Sequence, residues 1–146
     1  MVRKGLVWLA GAVAVTAFLI QPVPLRAQKP AASLGTVRIQ ARVTANGQPL
    51  AAGTYSVRLV DDAVAPVVGQ TPSESHWVEF VQGGQVKGRE LATVLSGDEA
   101  KAISKTKLPA SGSTRVERLK GDDYIRIWIN RGGTNYLVHL ALAPSI

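Results

Sequence analysis

From residue 36 onward, apolar residues recur at every second position in short runs, separated by clusters of Gly, Pro, Asn and Asp. Alternation with period two puts successive side chains on opposite faces of an extended chain, so each run reads as a strand with one buried face. The spacing predicts strands at 36–44, 54–60, 76–82, 86–95, 115–120, 124–130 and 135–142. In the first, Val37, Ile39, Ala41 and Val43 share one face, and Arg38, Gln40 and Arg42 the other. Two stretches break the rhythm. Residues 61–75 form a long loop with two prolines, and 96–114 holds one short helix near 98–105. Ser96 or Gly97 would cap that helix, Asp98 and Glu99 would sit in its first turn, and Lys101 and Lys105 toward its end, all in agreement with the helix dipole. The expected fold is all-β: a single antiparallel sandwich or partly open barrel of about seven strands.

Turn chemistry extends the pattern to register. A two-residue turn at Gly132-Gly133 places Ile129 opposite Tyr136, Ile127 opposite Val138 and Ile125 opposite Leu140, so apolar meets apolar throughout. A two-residue turn at Gly121-Asp122 places Glu117 across from Arg126 and Arg115 across from Trp128. A three-residue loop at Gly83-Gly84-Gln85 sets Glu79 across from Arg89. The Asn46-Gly47 signal fails the same test. A turn there would set Ile39 against Thr54 and Val37 against Ser56, whereas matched faces require Ile39 with Val57 and Val37 with Leu59, which makes 45–53 a longer loop.

The first 27 residues stand apart from this pattern. Arg3 and Lys4 precede an apolar stretch, Leu6–Ile20, that ends at Gln21-Pro22, and Ala27 offers a small residue for cleavage. This is the layout of a secretory signal peptide, and the stretch is shorter than the roughly 20 residues a membrane-spanning helix needs. Residues 28–34 then read as a flexible lead-in and 35–146 as one β-sandwich domain, exported to the periplasm or secreted, with no membrane span after cleavage. The signal also alters the charge. The whole chain of 146 residues carries +7, but Arg3, Lys4 and Arg26 leave with the signal and no acid does, so +4 remains. That modest excess on an exported domain argues against nucleic acid as a partner. The chain has no cysteine, which removes disulfide scaffolds, thiolate metal sites and cysteine nucleophiles.

Little chemistry is concentrated along the chain. The domain has two histidines, His76 and His139, and no GxSxG elbow. His139 falls across from Arg126, where a neighbouring cation lowers its basicity. Asp61-Asp62 and Asp122-Asp123 are adjacent pairs at turns, and His76 and Glu79 have opposite parity on one strand, so no metal site and no cofactor is expected. What remains is the polar face of the C-terminal strands. There Trp128 is flanked by Arg115 and Leu137, and Arg126 by Glu117 and His139. An indole ringed by arginines suits stacking on a sugar or clamping an anion, with Arg38, Arg42 and Arg58 widening the basic face. Two segments are able to cover that indole instead: the helix, through Ala100 and Ile103, or the 61–75 loop, through Val64, Val67 and Val68.

Residues 43–60, VTANGQPLAAGTYSVRLV, resemble the ngxPLxxGxYxVxL segment of carboxypeptidase-regulatory-like, transthyretin-like sandwich modules. The runs HWVEFVQGGQVKGRE and YIRIWINRGGTNYLVHL resemble small secreted bacterial proteins. The first resemblance implies a mostly non-catalytic accessory module. The expected function is therefore a non-enzymatic exported binding module that recognises an envelope or extracellular protein or an anionic polysaccharide, with Trp128, Arg126, Arg115, His139 and Leu137 as candidate binding residues. Its rivals are a small exported hydrolase using Glu79 or Glu90 with His76, and a purely structural envelope module.

Overall fold

A computed structural model describes residues 32–62, 64 and 75–144. The signal segment 1–27, residues 28–31 of the lead-in and most of the 61–75 loop lie outside the described residues. The elements in chain order are β1 (Ala32–Ile39), β2 (Val43–Ala45), β3 (Gln48–Leu50), β4 (Gly53–Val60), β5 (Ser75–Gln82), β6 (Gln85–Leu95), α1 (Gly97–Ile103), β7 (Thr114–Arg118), β8 (Tyr124–Arg131) and β9 (Thr134–Leu142). Every predicted strand from residue 54 onward is present, and the all-β class with one short helix holds. β1 begins at Ala32, so residues 32–34 of the predicted lead-in pair with β4, and Leu34 is buried.

Seven strands curl into a nearly closed barrel-like sheet in the order β1-β4-β5-β6-β9-β8-β7, every neighbouring pair antiparallel. The inward faces are those that alternation assigns. Val37, Ile39, Val57, Val78, Phe80, Ala92, Ile127, Ile129, Val138 and Leu140 form one continuous core with Tyr55. The Gly132-Gly133 turn produces the predicted β8–β9 register along its whole length. The Gly121-Asp122 turn likewise places Glu117 opposite Arg126 and Arg115 opposite Trp128. The β5–β6 turn has two residues rather than three. A bulge at Phe80/Val81 makes up the difference, so Glu79 still lies opposite Arg89.

The first predicted strand is where the structure departs from the expectation. Residues 36–44 are two strands, because the chain bends at Gln40–Arg42 and changes partner from β4 to the far end of β9. The Asn46-Gly47 hairpin, rejected on parity, therefore forms. Asn46 and Gly47 both have positive φ, as a two-residue turn of the primed kind requires, and Ala45 pairs with Gln48. The parity objection assumed one unbroken strand. Once the chain bends, the turn serves only β2 and β3, whose Val43 and Leu50 face each other and are both buried. The backbone N–H of Asn46 donates to Glu90 Oε2 at 2.7 Å and anchors the hairpin. At Gly88 a Cβ would stand 3.1 Å from Leu50 Cδ2, so the hairpin rests directly on the β6 backbone. Between β1 and β4, Val37 pairs with Tyr55 and Ile39 with Gly53, not with Leu59 and Val57. A slip of four residues, being even, leaves every side chain on its face, so alternation cannot detect it.

The barrel is left open between β1 and β7. Thr114 Oγ1 donates to the carbonyl of Thr36 at 2.9 Å, and Gly35, with φ of +140°, lets the Thr114 methyl group approach. Among the described residues no backbone hydrogen bond joins the two strands.

Candidate functional site

Alternation places Trp128 on the outer face of the sheet, and there it meets α1. Ser96 caps this helix with a reciprocal capping box: its side chain accepts from the Glu99 backbone N–H, while the Glu99 carboxylate accepts from the Ser96 N–H at 2.7 Å. The helix ends at Ile103, so Lys105 lies beyond it. It buries one residue, Ala100, in a second small cluster with Leu95, Trp128 and Leu137, flanked by Leu108. Trp128 is 0% exposed and Leu137 is also buried. The expectation of a stacking plate is thus corrected: the indole face is covered by helix and by Leu108. Ile103 plays no part in this cover, being 43% exposed, and Val67 and Val68 lie outside the described residues.

The polar residues predicted around Trp128 do come together, and they serve its burial. Glu117 Oε1 accepts from Trp128 Nε1 at 2.9 Å and from Arg126 Nε at 2.6 Å, and Arg115 approaches the other carboxylate oxygen at 3.5 Å. The guanidinium carbons of Arg126 and Arg115 lie 5.3 and 5.7 Å from the indole centroid. Arg115 also donates to the Lys107 carbonyl and to Ser104 Oγ, which ties the segment after α1 over the cluster. A buried indole N–H needs an acceptor, and a half-buried carboxylate needs donors; each supplies the other. Burial alone would raise the Glu117 carboxyl, but the hydrogen bonds from Trp128 and Arg126 and the charges of Arg126 and Arg115 outweigh it, holding the group below 4.5. His139 lies opposite Arg126 as expected, and its imidazole is held below 6.5, first by partial desolvation and then by Arg126, against an opposing pull from Glu117.

Both shifts act in the same direction on stability. A histidine whose folded pKa is depressed contributes fully above 6.5, and that contribution falls as acid converts the unfolded chain first. A depressed carboxyl contributes above 4.5 and loses its contribution as pH drops through the folded value. Urea midpoints are therefore expected to decline in two stages on acidification, the first through the histidine range and the second through the carboxylate range. The first stage disappears in His139→Gln. A flat midpoint between pH 7 and 5 in the parent would contradict this assignment.

The two carboxylates named for hydrolysis, Glu79 and Glu90, are held in other bonds. Glu79 pairs with Arg58 at 2.7 Å, not with Arg89, and Arg89 turns to Asp62 at 2.7 Å while stacking 4.5 Å over Trp77. Glu90 accepts from the backbone N–H groups of Asn46 and Leu91. The basic face expected from Arg38, Arg42 and Arg58 is accordingly broken, since Arg58 is neutralised.

A different constellation appears at the end of the barrel where β1 bends away. Arg42, Arg118, Asp122, Leu142 and Pro144 line an open cleft of about 510 Å³. Its walls are held by backbone bonds from Ala143 N to the Arg42 carbonyl at 3.0 Å and from Leu142 N to the Asp123 carbonyl at 2.8 Å. Arg118 sits 3.6 Å from Asp122, in a loosely held pair whose side chains are 55% and 74% exposed. The Arg42 side chain is exposed and makes no hydrogen bond or ion pair among the described residues. Two guanidinium groups against one carboxylate, beside Leu142 and Pro144, leave a net positive cleft with forked donors of the kind that suit an anion. Sequence reasoning saw Arg42 only as one member of a polar strand face, because the bend that brings it to Arg118 has no local signal. Among the described residues no three His, Asp or Glu side chains gather as a metal site would require. Compared with known proteins, the chain matches no family model, no curated protein and no solved structure.

Proposed function

We propose that the chain is a non-enzymatic exported binding module of the cell envelope or extracellular space, and that it takes a carboxylate of its partner at the barrel mouth between Arg42 and Arg118. The observation that carries this reading is the Arg42 guanidinium, exposed and without a counterion in a preformed cleft whose second arginine is only loosely paired. Arginine offers planar forked donors that match a carboxylate, and the apolar wall of Leu142 and Pro144 suits the carbon skeleton behind it. The signal-like residues 1–27 support export, and the resemblance of residues 43–60 to carboxypeptidase-regulatory-like modules supports an accessory rather than a catalytic role.

Calorimetric titration with polygalacturonate and polyglutamate, using neutral dextran as control, tests this reading. Binding of at least one carboxylate polymer is expected. It should weaken at least tenfold in Arg42→Ala/Arg118→Ala, since a charge-assisted hydrogen bond contributes about 1.5–3 kcal/mol and 1.4 kcal/mol is a factor of ten. Equal affinity of parent and variant removes the cleft as the site, and equal affinity for dextran removes the preference for anions.

A further inference from the structure

Seven antiparallel neighbours cannot close a ring without one exception. Direction reverses at every step from β1 through β4, β5, β6, β9 and β8 to β7, so β1 and β7 run parallel to each other. Among the described residues no backbone ladder joins their facing edges. The Thr36 carbonyl points into the seam, since it accepts from Thr114, and alternation turns the backbone groups of Arg38 the same way. On the other side, Ser113 accepts from Asn130 and Leu119 donates to Tyr124, which turns the odd-numbered residues toward β8. Thr114, Val116 and Arg118 therefore present their N–H and C=O groups to the seam. Among the described residues a single hydrogen bond, from Thr114 to Thr36, joins the two edges, beside the core that Leu34, Val37 and Ile39 share with Val116. Both strands run toward the cleft at Arg42 and Arg118, where the seam opens.

We propose that the β1–β7 seam accepts an extended polypeptide segment of a partner protein as an eighth strand, antiparallel to both edges, with acidic residues at its N-terminal end beside Arg42 and Arg118. An even count allows every neighbouring pair to be antiparallel, the pairing with the better hydrogen-bond geometry. Entry requires β1 and β7 to part to roughly 9–10 Å, two strand spacings. It breaks the Thr114–Thr36 hydrogen bond, loosens the packing of Leu34, Val37 and Ile39 on the β7 side of the core, and supplies partners to the five seam-facing residues. The orientation follows from strand direction: a guest antiparallel to β1 and β7 has its N-terminus at the cleft. Charge selects the guest, because Arg38 and Arg42 are exposed, Arg118 is loosely paired, and among the described residues lining the cleft Asp122 is the one acid. The acidic preference rests on the carboxylate reading of the cleft; the strand pairing does not.

The test titrates the full chain with a synthetic peptide of two glutamates followed by six alternating Val and Thr residues, and reads hydrogen exchange by NMR. At least tenfold slower exchange is expected at Arg38, Val116 and Arg118. Two further peptides are N-methylated at alternate residues, one set on each edge. A strand inserted in the seam uses both edges, so each set should weaken binding at least tenfold. Loss with only one set means addition to a single edge, and loss with neither means no strand pairing; both results overturn the proposal. Protection of the same amides by raising protein concentration alone identifies a second copy as the occupant and also overturns it. A lysine-for-glutamate peptide that keeps its affinity and the double N-methylation effect would sink the carboxylate reading while leaving the seam intact.

Discussion

Replacing Trp128 by alanine is expected to destabilise the protein by about 3–5 kcal/mol, the usual range for deleting a buried aromatic side chain. The indole is fully covered by Leu95, Ala100, Leu137 and Leu108, so its removal leaves a cavity as well as losing buried apolar area. Two secondary losses add to this. Glu117 loses a hydrogen bond of 2.9 Å, and α1, which buries only Ala100, loses the surface it rests on. Trp128→Phe should cost less, about 1–2 kcal/mol, because it keeps most of the ring and gives up the N–H. Urea denaturation at constant slope reads both values. Hydrogen exchange should show residues 97–103 opening more readily in the alanine variant. An unchanged midpoint for Trp128→Ala would mean that the indole is not covered.

Glu117→Ala is expected to cost about 2–3 kcal/mol. It strands two cations and an indole donor at once, and the loss of one partner is worse than the absence of both. The full penalty for a buried pair does not apply, because the side chains of Glu117 and Arg126 keep 25% and 19% of their exposure. The double variant Glu117→Ala/Arg126→Leu should therefore recover part of the loss, and simple additivity of the two single changes would rule out the coupling. A second readout separates electrostatics from packing. Glu117 is the group that pulls the His139 imidazole upward, so in Glu117→Ala the histidine should titrate at a lower pH than in the parent. Histidine ring shifts followed by NMR measure this, and an upward movement would contradict the network.

The outer face shows how far local reasoning reaches. The position of every residue around Trp128 follows from two turns and alternation: Arg115 and Leu137 beside the indole, Glu117 and His139 beside Arg126. The chemistry of that group does not follow, because the same residues serve either an exposed plate or a covered one. The deciding contact is Ala100 on a short helix, together with Leu108, and neither is coupled to Trp128 by any spacing. Glu79 and Arg89 teach the same lesson at smaller scale. They lie opposite each other as expected, yet each takes a different partner, Arg58 and Asp62, because long side chains choose among several neighbours on a sheet face.

By itself, the sequence determined the strand positions from residue 54 onward, the inward or outward direction of nearly every side chain and the two C-terminal turns. These depend on backbone sterics and burial within a few residues, so they are written locally. Tertiary structure alone decided that residues 36–44 divide between two partners, which restored the Asn46-Gly47 hairpin and shifted β1 by four residues against β4. It likewise decided that Trp128 is covered, that Arg42 meets Arg118, and that an odd number of strands leaves β1 and β7 parallel and unpaired. Each of these is a choice among arrangements with the same alternation, and only the packing of distant segments separates them.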